Sequence, residues 1–124
     1  VFFCPKHIIS MKLFGQHIRE LRIERDLPLR RVAAHLDIDT SILSKVERSE
    51  RIASRKQVIL AAEFFGVSRE KLLQKYFGDQ IARLIYTEPN DVDILLAAKE
   101  QIPCYRNFLA EQASLNFKED KNDK

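Results

Sequence analysis

The sequence is poor in residues that interrupt helices: its 124 residues include only three Gly and four Pro. No alternating run of apolar and polar residues lies between turn-forming residues, so nothing favours a β-sheet. Leu, Ala, Glu, Lys and Arg are plentiful, 45% of residues are hydrophobic and 31% are charged. This composition predicts a folded, all-α protein and not a disordered chain.

Cysteines and long apolar segments are also scarce. Neither Cys4 nor Cys104 belongs to a Cys-x-x-Cys or His-x-x-His pair, so we expect reduced thiols and no metal or cofactor site. No apolar run approaches the roughly 18 residues of a membrane span. Met11 resembles a natural start, which makes residues 1–10 an extension of doubtful standing. Together these features predict a cytoplasmic protein that does not contact a membrane.

The residue sets that are typical of enzymes are missing as well. We find no convincing paired carboxylates with a base, no Ser/His/Asp set and no Gly-rich phosphate loop. The nearest candidate, Asp91 and Asp93, is more simply interpreted as acidic charge at a helix N-terminus. His7, His17 and His35 share no spacing. We therefore expect no catalytic activity.

Charge is distributed unevenly along the chain. Residues 11–75 contain 14 Lys/Arg against 9 Asp/Glu, whereas residues 76–124 contain 6 against 9. A basic first part and an acidic second part suit a chain whose first part faces an anion. Ordinary solubilising charge is the alternative interpretation.

Apolar spacing predicts six helices, and Pro103 is expected to end the sixth. Ser54 and Ser68 are candidate N-caps, and Gly66 is a candidate left-handed helix end. Residues 104–124 are predicted to be a weakly helical to mobile tail. The predicted helices cover approximately residues 13–25, 28–36, 40–48, 55–65, 69–85 and 91–102.

The second and third helices show an informative spacing. Ala33 is small where two helices must cross closely, and Asp37 lies at the bend, where a positive φ is usually needed. Apolar residues at the remaining fixed positions pack the crossing: Val32, Leu36, Ile38, Leu43 and Val46. This is the pattern of a helix-turn-helix, whose second helix enters the major groove of double-stranded DNA.

The outward face of the third helix is short and mostly uncharged, as a helix that fills a groove about 12 Å wide requires. We expect four of its residues to contact bases: Thr40, Ser41, Ser44 and Lys45. Helix capping is the alternative role for the hydroxyl residues. Basic residues before and after the third helix, five in total, are expected to contact phosphates. They are Arg30, Arg31, Arg51, Arg55 and Lys56.

Three segments, FGQHIRELR, LRRVAAHLDIDTSILSKVER and LAAEFFGVSREKLL, resemble the Cro/CI-type (XRE-type) helix-turn-helix regulators. The resemblance implies a five-helix, lambda-repressor-like DNA-binding domain that usually acts as a dimer on a palindromic operator. It also implies an ion pair between Arg22 and Glu47. The chain departs from the family at Pro28-Leu29, where Ser/Thr-Gln is common, and at Asp37 and Ser49, where Gly is usual.

We predict a DNA-binding domain at residues 11–75 and a helical extension at residues 76–103 that could form a homodimer or pack on the domain. The predicted function is a transcriptional repressor that binds an inverted-repeat operator. One alternative is an antitoxin or other protein-interaction module whose C-terminal region holds a protein partner. Another is a helix-turn-helix that no longer reads DNA.

Overall fold

The computed structural model describes the backbone of residues 12–122 and the side chains of residues 12–118. Residues 1–10, including Cys4 and His7, lie outside the described residues. The described part of the chain is helical, without strands. Its six helices are α1 (Phe14–Glu24), α2 (Leu29–Leu36), α3 (Thr40–Glu47), α4 (Arg55–Phe65), α5 (Arg69–Ile85) and α6 (Asp91–Asn122).

The chain divides into two compact units. The N-terminal unit ends at Arg83 and the C-terminal unit begins at Leu84, so that α5 contributes to both. The N-terminal unit extends beyond the predicted boundary at Lys75 because Tyr76 belongs to its core. The Tyr76 ring packs edge-on against Phe14, with the ring centroids 5.3 Å apart.

The core of the N-terminal unit lies between α1, α2, α3 and α4. α1 packs on α3 and α4, and α2 packs on the same two helices. Val32, Leu43 and Val58 are each at most 1% exposed. The buried cluster consists of Phe14, Ile18, Leu21, Val32, Ala33, Leu36, Leu43, Val46, Ala53, Val58, Ala61, Ala62, Phe65, Leu72 and Tyr76.

Local sequence signals account for three of the helix ends. The Ser54 hydroxyl accepts a hydrogen bond from the Gln57 N–H (3.2 Å), and the Gln57 side chain accepts one from the Ser54 N–H (2.9 Å), which completes a capping box. Gly66 ends α4 with φ 67°. Ser68 accepts a bond from the Lys71 N–H (3.3 Å) at the start of α5. These three predictions are confirmed.

The predicted end of the sixth helix at Pro103 is wrong. α6 continues through Pro103 to Asn122. An interior proline removes one helical hydrogen bond and crowds the carbonyl four residues earlier, at a cost of about 3 kcal/mol. Residues 91–122 contain no Gly and many strong helix formers on both sides of Pro103. The helix therefore tolerates the local cost and extends into the predicted tail.

Candidate nucleic-acid interface

The turn between α2 and α3 is set by one left-handed residue. Asp37 has φ 56° and ψ 46°, a conformation that Asp tolerates better than most residues other than Gly. The Ile38 N–H donates to the Ala33 carbonyl (3.0 Å), which closes the turn onto the end of α2. The chain thereby reverses within a few residues, and α3 crosses directly over Ala33, which is 1% exposed.

The two faces of α3 have different roles. Leu43 and Val46 are 1% and 4% exposed and anchor the helix in the core. Thr40, Ser41 and Lys45 are exposed on the other face, and Ser44 and Ile42 are half-buried. The outer face of α3 is thus composed of short side chains and one lysine, as expected for a helix that enters the major groove.

The start of α3 has no side-chain cap. Asp39 is the N-cap of α3, but its side chain makes no capping hydrogen bond. Its carbonyl accepts the N–H groups of Ile42 (3.0 Å) and Leu43 (3.1 Å) instead. Within the described residues, Thr40, Ser41 and Lys45 likewise have no side-chain hydrogen bond or ion pair to the protein, so their polar atoms are available to a ligand.

A buried ion pair holds the C-terminal end of α3. The Arg22 Nε donates to Glu47 Oε1 (2.7 Å) and Arg22 Nη2 donates to Oε2 (3.3 Å). The Arg22 side chain is 15% exposed and that of Glu47 is 4% exposed. Arg22 Nη1 also donates to the Leu27 carbonyl (3.0 Å). Arg22 thus connects α1, the loop before α2 and the end of α3, which is the strut that the resemblance implies.

Gly15 allows α1 to approach the same end of α3. A Cβ atom at this position would lie 2.0 Å from the Val46 carbonyl oxygen, closer than any real contact. Sequence analysis did not identify this residue, because a single Gly in a helix carries no signal of what lies against it.

The loop after α3 is fixed at both ends. Ser49 adopts φ 62°, the left-handed conformation for which the family usually has Gly, and the Glu50 N–H donates to the Lys45 carbonyl (2.9 Å). Further along, the Tyr76 hydroxyl donates to the Ala53 carbonyl, which fastens the loop to α5. The backbone that carries Arg51 is therefore held from two sides.

All five predicted phosphate contacts are exposed: Arg30, Arg31, Arg51, Arg55 and Lys56. Arg30 and Arg31 lie in the first turn of α2, whereas Arg55 and Lys56 begin α4. Free backbone N–H groups and the positive end of the helix dipole are found at such helix starts. Arg48 differs from these residues, because it donates to the Ser44 carbonyl (3.3 Å) and pairs with Glu50 (3.4 Å).

A second arginine strut was also missed from the sequence. Arg25 Nη2 donates to the Phe65 carbonyl (2.9 Å), and its guanidinium lies 5.3 Å from the Phe65 ring centroid. Arg25 therefore stabilises the C-terminal end of α4 against α1.

Away from α3, His17 lines an open cleft of about 510 Å³ together with Lys71 and Lys75 on α5. Burial lowers the pKa of His17 below its ordinary value of 6.5, and the charge of Lys75 lowers it further. Glu20 and Glu24 act in the opposite direction without reversing the shift. His17 is therefore favoured in its neutral form.

The geometry on α2 and α3 defines a helix-turn-helix domain, and comparison with family models agrees. Residues 18–72 match the model described as Helix-turn-helix. The match supports assignment of this part of the chain to the XRE-type, Cro/CI-like helix-turn-helix regulators and supports DNA binding. The match begins within α1 and ends within α5.

Comparisons with curated proteins and with solved structures gave no significant match. Between residues 12 and 122, no helix is both long and apolar enough to cross a membrane.

Proposed function

We propose that this protein is a sequence-specific transcriptional repressor that binds an inverted-repeat operator as a homodimer in the cytoplasm. The observation that carries the proposal is the outer face of α3, where Thr40, Ser41 and Lys45 are exposed and unengaged while Leu43 and Val46 anchor the helix. A helix held in this way presents a fixed set of donors and acceptors to base edges.

Sequence readout is assigned to Thr40, Ser41, Ser44 and Lys45. Hydroxyl groups bond either to base edges or to phosphates, and a lysine reaches the O6 and N7 acceptors of guanine. Half-buried Ile42 has the chemistry to contact a thymine methyl group. Ser44 is only half-buried, so its hydroxyl remains within reach of DNA.

Phosphate contacts are assigned to the exposed cations on both sides of α3. Arg30 and Arg31 precede the turn, while Arg51, Arg55 and Lys56 follow the recognition helix. Such contacts position the protein and supply affinity without specifying sequence. The start of α2 carries Pro28-Leu29 where the family usually has Ser/Thr-Gln, so Arg30 and Arg31 take over phosphate binding in this proposal.

Repression is the simpler regulatory outcome for this molecule. A repressor needs only to occupy its operator, whereas an activator must also contact the transcription machinery. Two-fold symmetry follows from the reading of a palindrome, because half-sites about 34 Å apart are matched by two copies of one domain.

The proposal is tested by selecting bound DNA from a random duplex library with the full chain. We expect an inverted repeat to be enriched, and a reporter gene placed behind that sequence to lose expression when the protein is produced. A library that yields no enriched sequence would contradict specific reading, and raised reporter expression would contradict repression.

A second candidate function is supported by the C-terminal unit. Large apolar side chains of α6 are exposed, among them Tyr105 (65%) and Leu109 (63%). An antitoxin that represses its own operon could use such a surface to hold a different protein. This candidate shares the DNA-binding part of the proposal and differs only in the occupant of α6.

A further inference from the structure

Helix α6 carries a row of apolar side chains on one face, which we name the α6 stripe, and the polar residues Gln101, Gln112 and Asn116 lie on the same face. At 100° per residue its members fall within less than half of the helix circumference. Five of them follow i, i+4, i+8, i+11, i+15 spacing from Ile94, and the other members lie beside these on the helix surface. The α6 stripe consists of Ile94, Leu95, Ala98, Ile102, Tyr105, Phe108, Leu109 and Leu115.

The charged residues lie on the remaining circumference of α6. From residue 93 to 118 they are Asp93, Lys99, Glu100, Arg106, Glu111 and Lys118. Pro103 is also outside the stripe, so that its ring does not interrupt the apolar surface. The charged side chains are thus kept off the stripe, whereas the exposed apolar residues Val92 and Leu96 also lie outside it.

Among the described side chains from Leu84 onward only Ile85 is buried, so the α6 stripe has no core to join in that part of the chain. Its six large, exposed side chains are Leu95, Ile102, Tyr105, Phe108, Leu109 and Leu115, and each is between 44% and 65% exposed. Helices in proteins gain most of their stability by packing an amphipathic face against another element. The α6 stripe is therefore a surface suited to packing against another element.

We infer that the α6 stripe is the surface on which a second copy of this chain packs. The area is adequate: large side chains expose about 150–250 Å² when free, so covering six half-exposed ones removes about 600 Å² per copy. A pair then buries about 1,200 Å², which reaches the range of stable interfaces.

Charge supports the same occupant. Residues 91–118 contain four Asp/Glu and three Lys/Arg, a net charge of −1, so two copies of α6 barely repel one another. The stripe extends for about 32 Å along the helix axis, and a self-complementary surface meets the requirement of a two-fold interface. This assignment rests on the proposed two-fold reading of DNA and names the surface that provides it.

The test measures the mass of the full chain without DNA, as a function of concentration, by sedimentation equilibrium. The wild-type chain is expected to be a dimer. Leu109→Asp is expected to raise the dimer dissociation constant at least about 100-fold, because each of two copies loses a buried leucine.

Leu96→Asp is the matched control, because Leu96 is 55% exposed on the same helix but lies outside the α6 stripe. It should change the dissociation constant by less than about threefold. A second pair, Leu109→Ala and Leu96→Ala, keeps a high helix propensity. It therefore separates loss of the packing surface from unfolding of α6. Here we expect at least about a tenfold difference between the two variants.

A monomeric wild-type chain at every soluble concentration would overturn the inference, whether α6 then binds a different protein or folds onto its own N-terminal unit. Equal weakening by the Leu109 and Leu96 variants would overturn it as well. Ser41→Ala, on the DNA-facing side of α3, should leave the mass unchanged. Failure of DNA reading and failure of self-association are thus recorded by separate measurements.

Discussion

Arg22 and Glu47 form a two-point ion pair that joins α1 to the last residue of α3, with Nε and Oε1 2.7 Å apart. The pair is remote from the outward side chains of the recognition helix but fixes the end of that helix. Its carboxylate is 4% exposed, so water cannot replace a missing partner. The orientation of the outer face of α3 therefore depends on a contact that is not part of that face.

Removal of the Glu47 carboxylate should be strongly destabilising. Glu47→Ala leaves the Arg22 guanidinium without its main partner, and we expect the free energy of unfolding in urea to fall by about 3 kcal/mol. Glu50→Ala is the control, because it breaks the exposed Arg48–Glu50 pair and should cost less than about 1 kcal/mol. Equal losses in the two variants would contradict a structural role for the buried pair.

Gly15 and Gly78 offer a matched comparison within helices. Gly15→Ala places a methyl group against the Val46 carbonyl, and we expect thermal or urea unfolding to show a loss of about 1–3 kcal/mol. Gly78→Ala meets nothing within 4 Å and should instead stabilise α5 by about 0.5–1 kcal/mol. If Gly15→Ala proved as stable as the wild type, the close approach of α1 to α3 would be incorrect.

His17 should make stability depend on pH. Because its pKa is lowered in the folded state, the unfolded chain takes up the proton first as the pH falls below 6.5. The contribution of His17 is therefore present above pH 6.5 and is lost as the pH falls through the folded pKa. The free energy of urea unfolding should fall less between pH 7.5 and 5 for His17→Gln than for the wild type. Parallel curves for the two proteins would show that His17 does not cause the pH dependence.

The predicted phosphate-binding residues should determine the salt dependence of DNA binding. Arg55→Ala should reduce the slope of log K against log salt by about 0.9 for each phosphate that Arg55 neutralises, without changing the preferred sequence. Lys71→Ala removes an equally exposed cation on α5, beside His17, and should leave the slope unchanged. Equal slopes for the wild type and Arg55→Ala would show that Arg55 does not contact a phosphate.

The helix-turn-helix could be predicted from sequence because its requirements are local. Ala33 is needed at a close crossing, Asp37 tolerates a left-handed bend, and the apolar residues of α3 repeat at helical spacing. Each of these signals lies within a few residues of the structure it determines. The same local reasoning gave the wrong result at Pro103, since the strong helix formers on both sides outweigh one broken hydrogen bond.

Tertiary contacts explain what sequence reasoning missed. The contact of Gly15 with the end of α3 and the bond from Arg25 to Phe65 join residues far apart in the chain. Neither has a composition or spacing that identifies its partner. The side chains proposed to face DNA were assigned from the periodicity of α3, and their contacts with bases stay a prediction.

The most direct test of the central claim, that the outer face of α3 reads base sequence, is the ratio of specific to non-specific DNA affinity. It is measured by competition on the selected operator for the wild type, Ser41→Ala, Lys45→Ala and Lys56→Ala. The first two variants should lose about 1–3 kcal/mol of discrimination each, whereas Lys56→Ala should weaken both kinds of binding equally. Retention of the wild-type ratio by Ser41→Ala and Lys45→Ala would contradict the account.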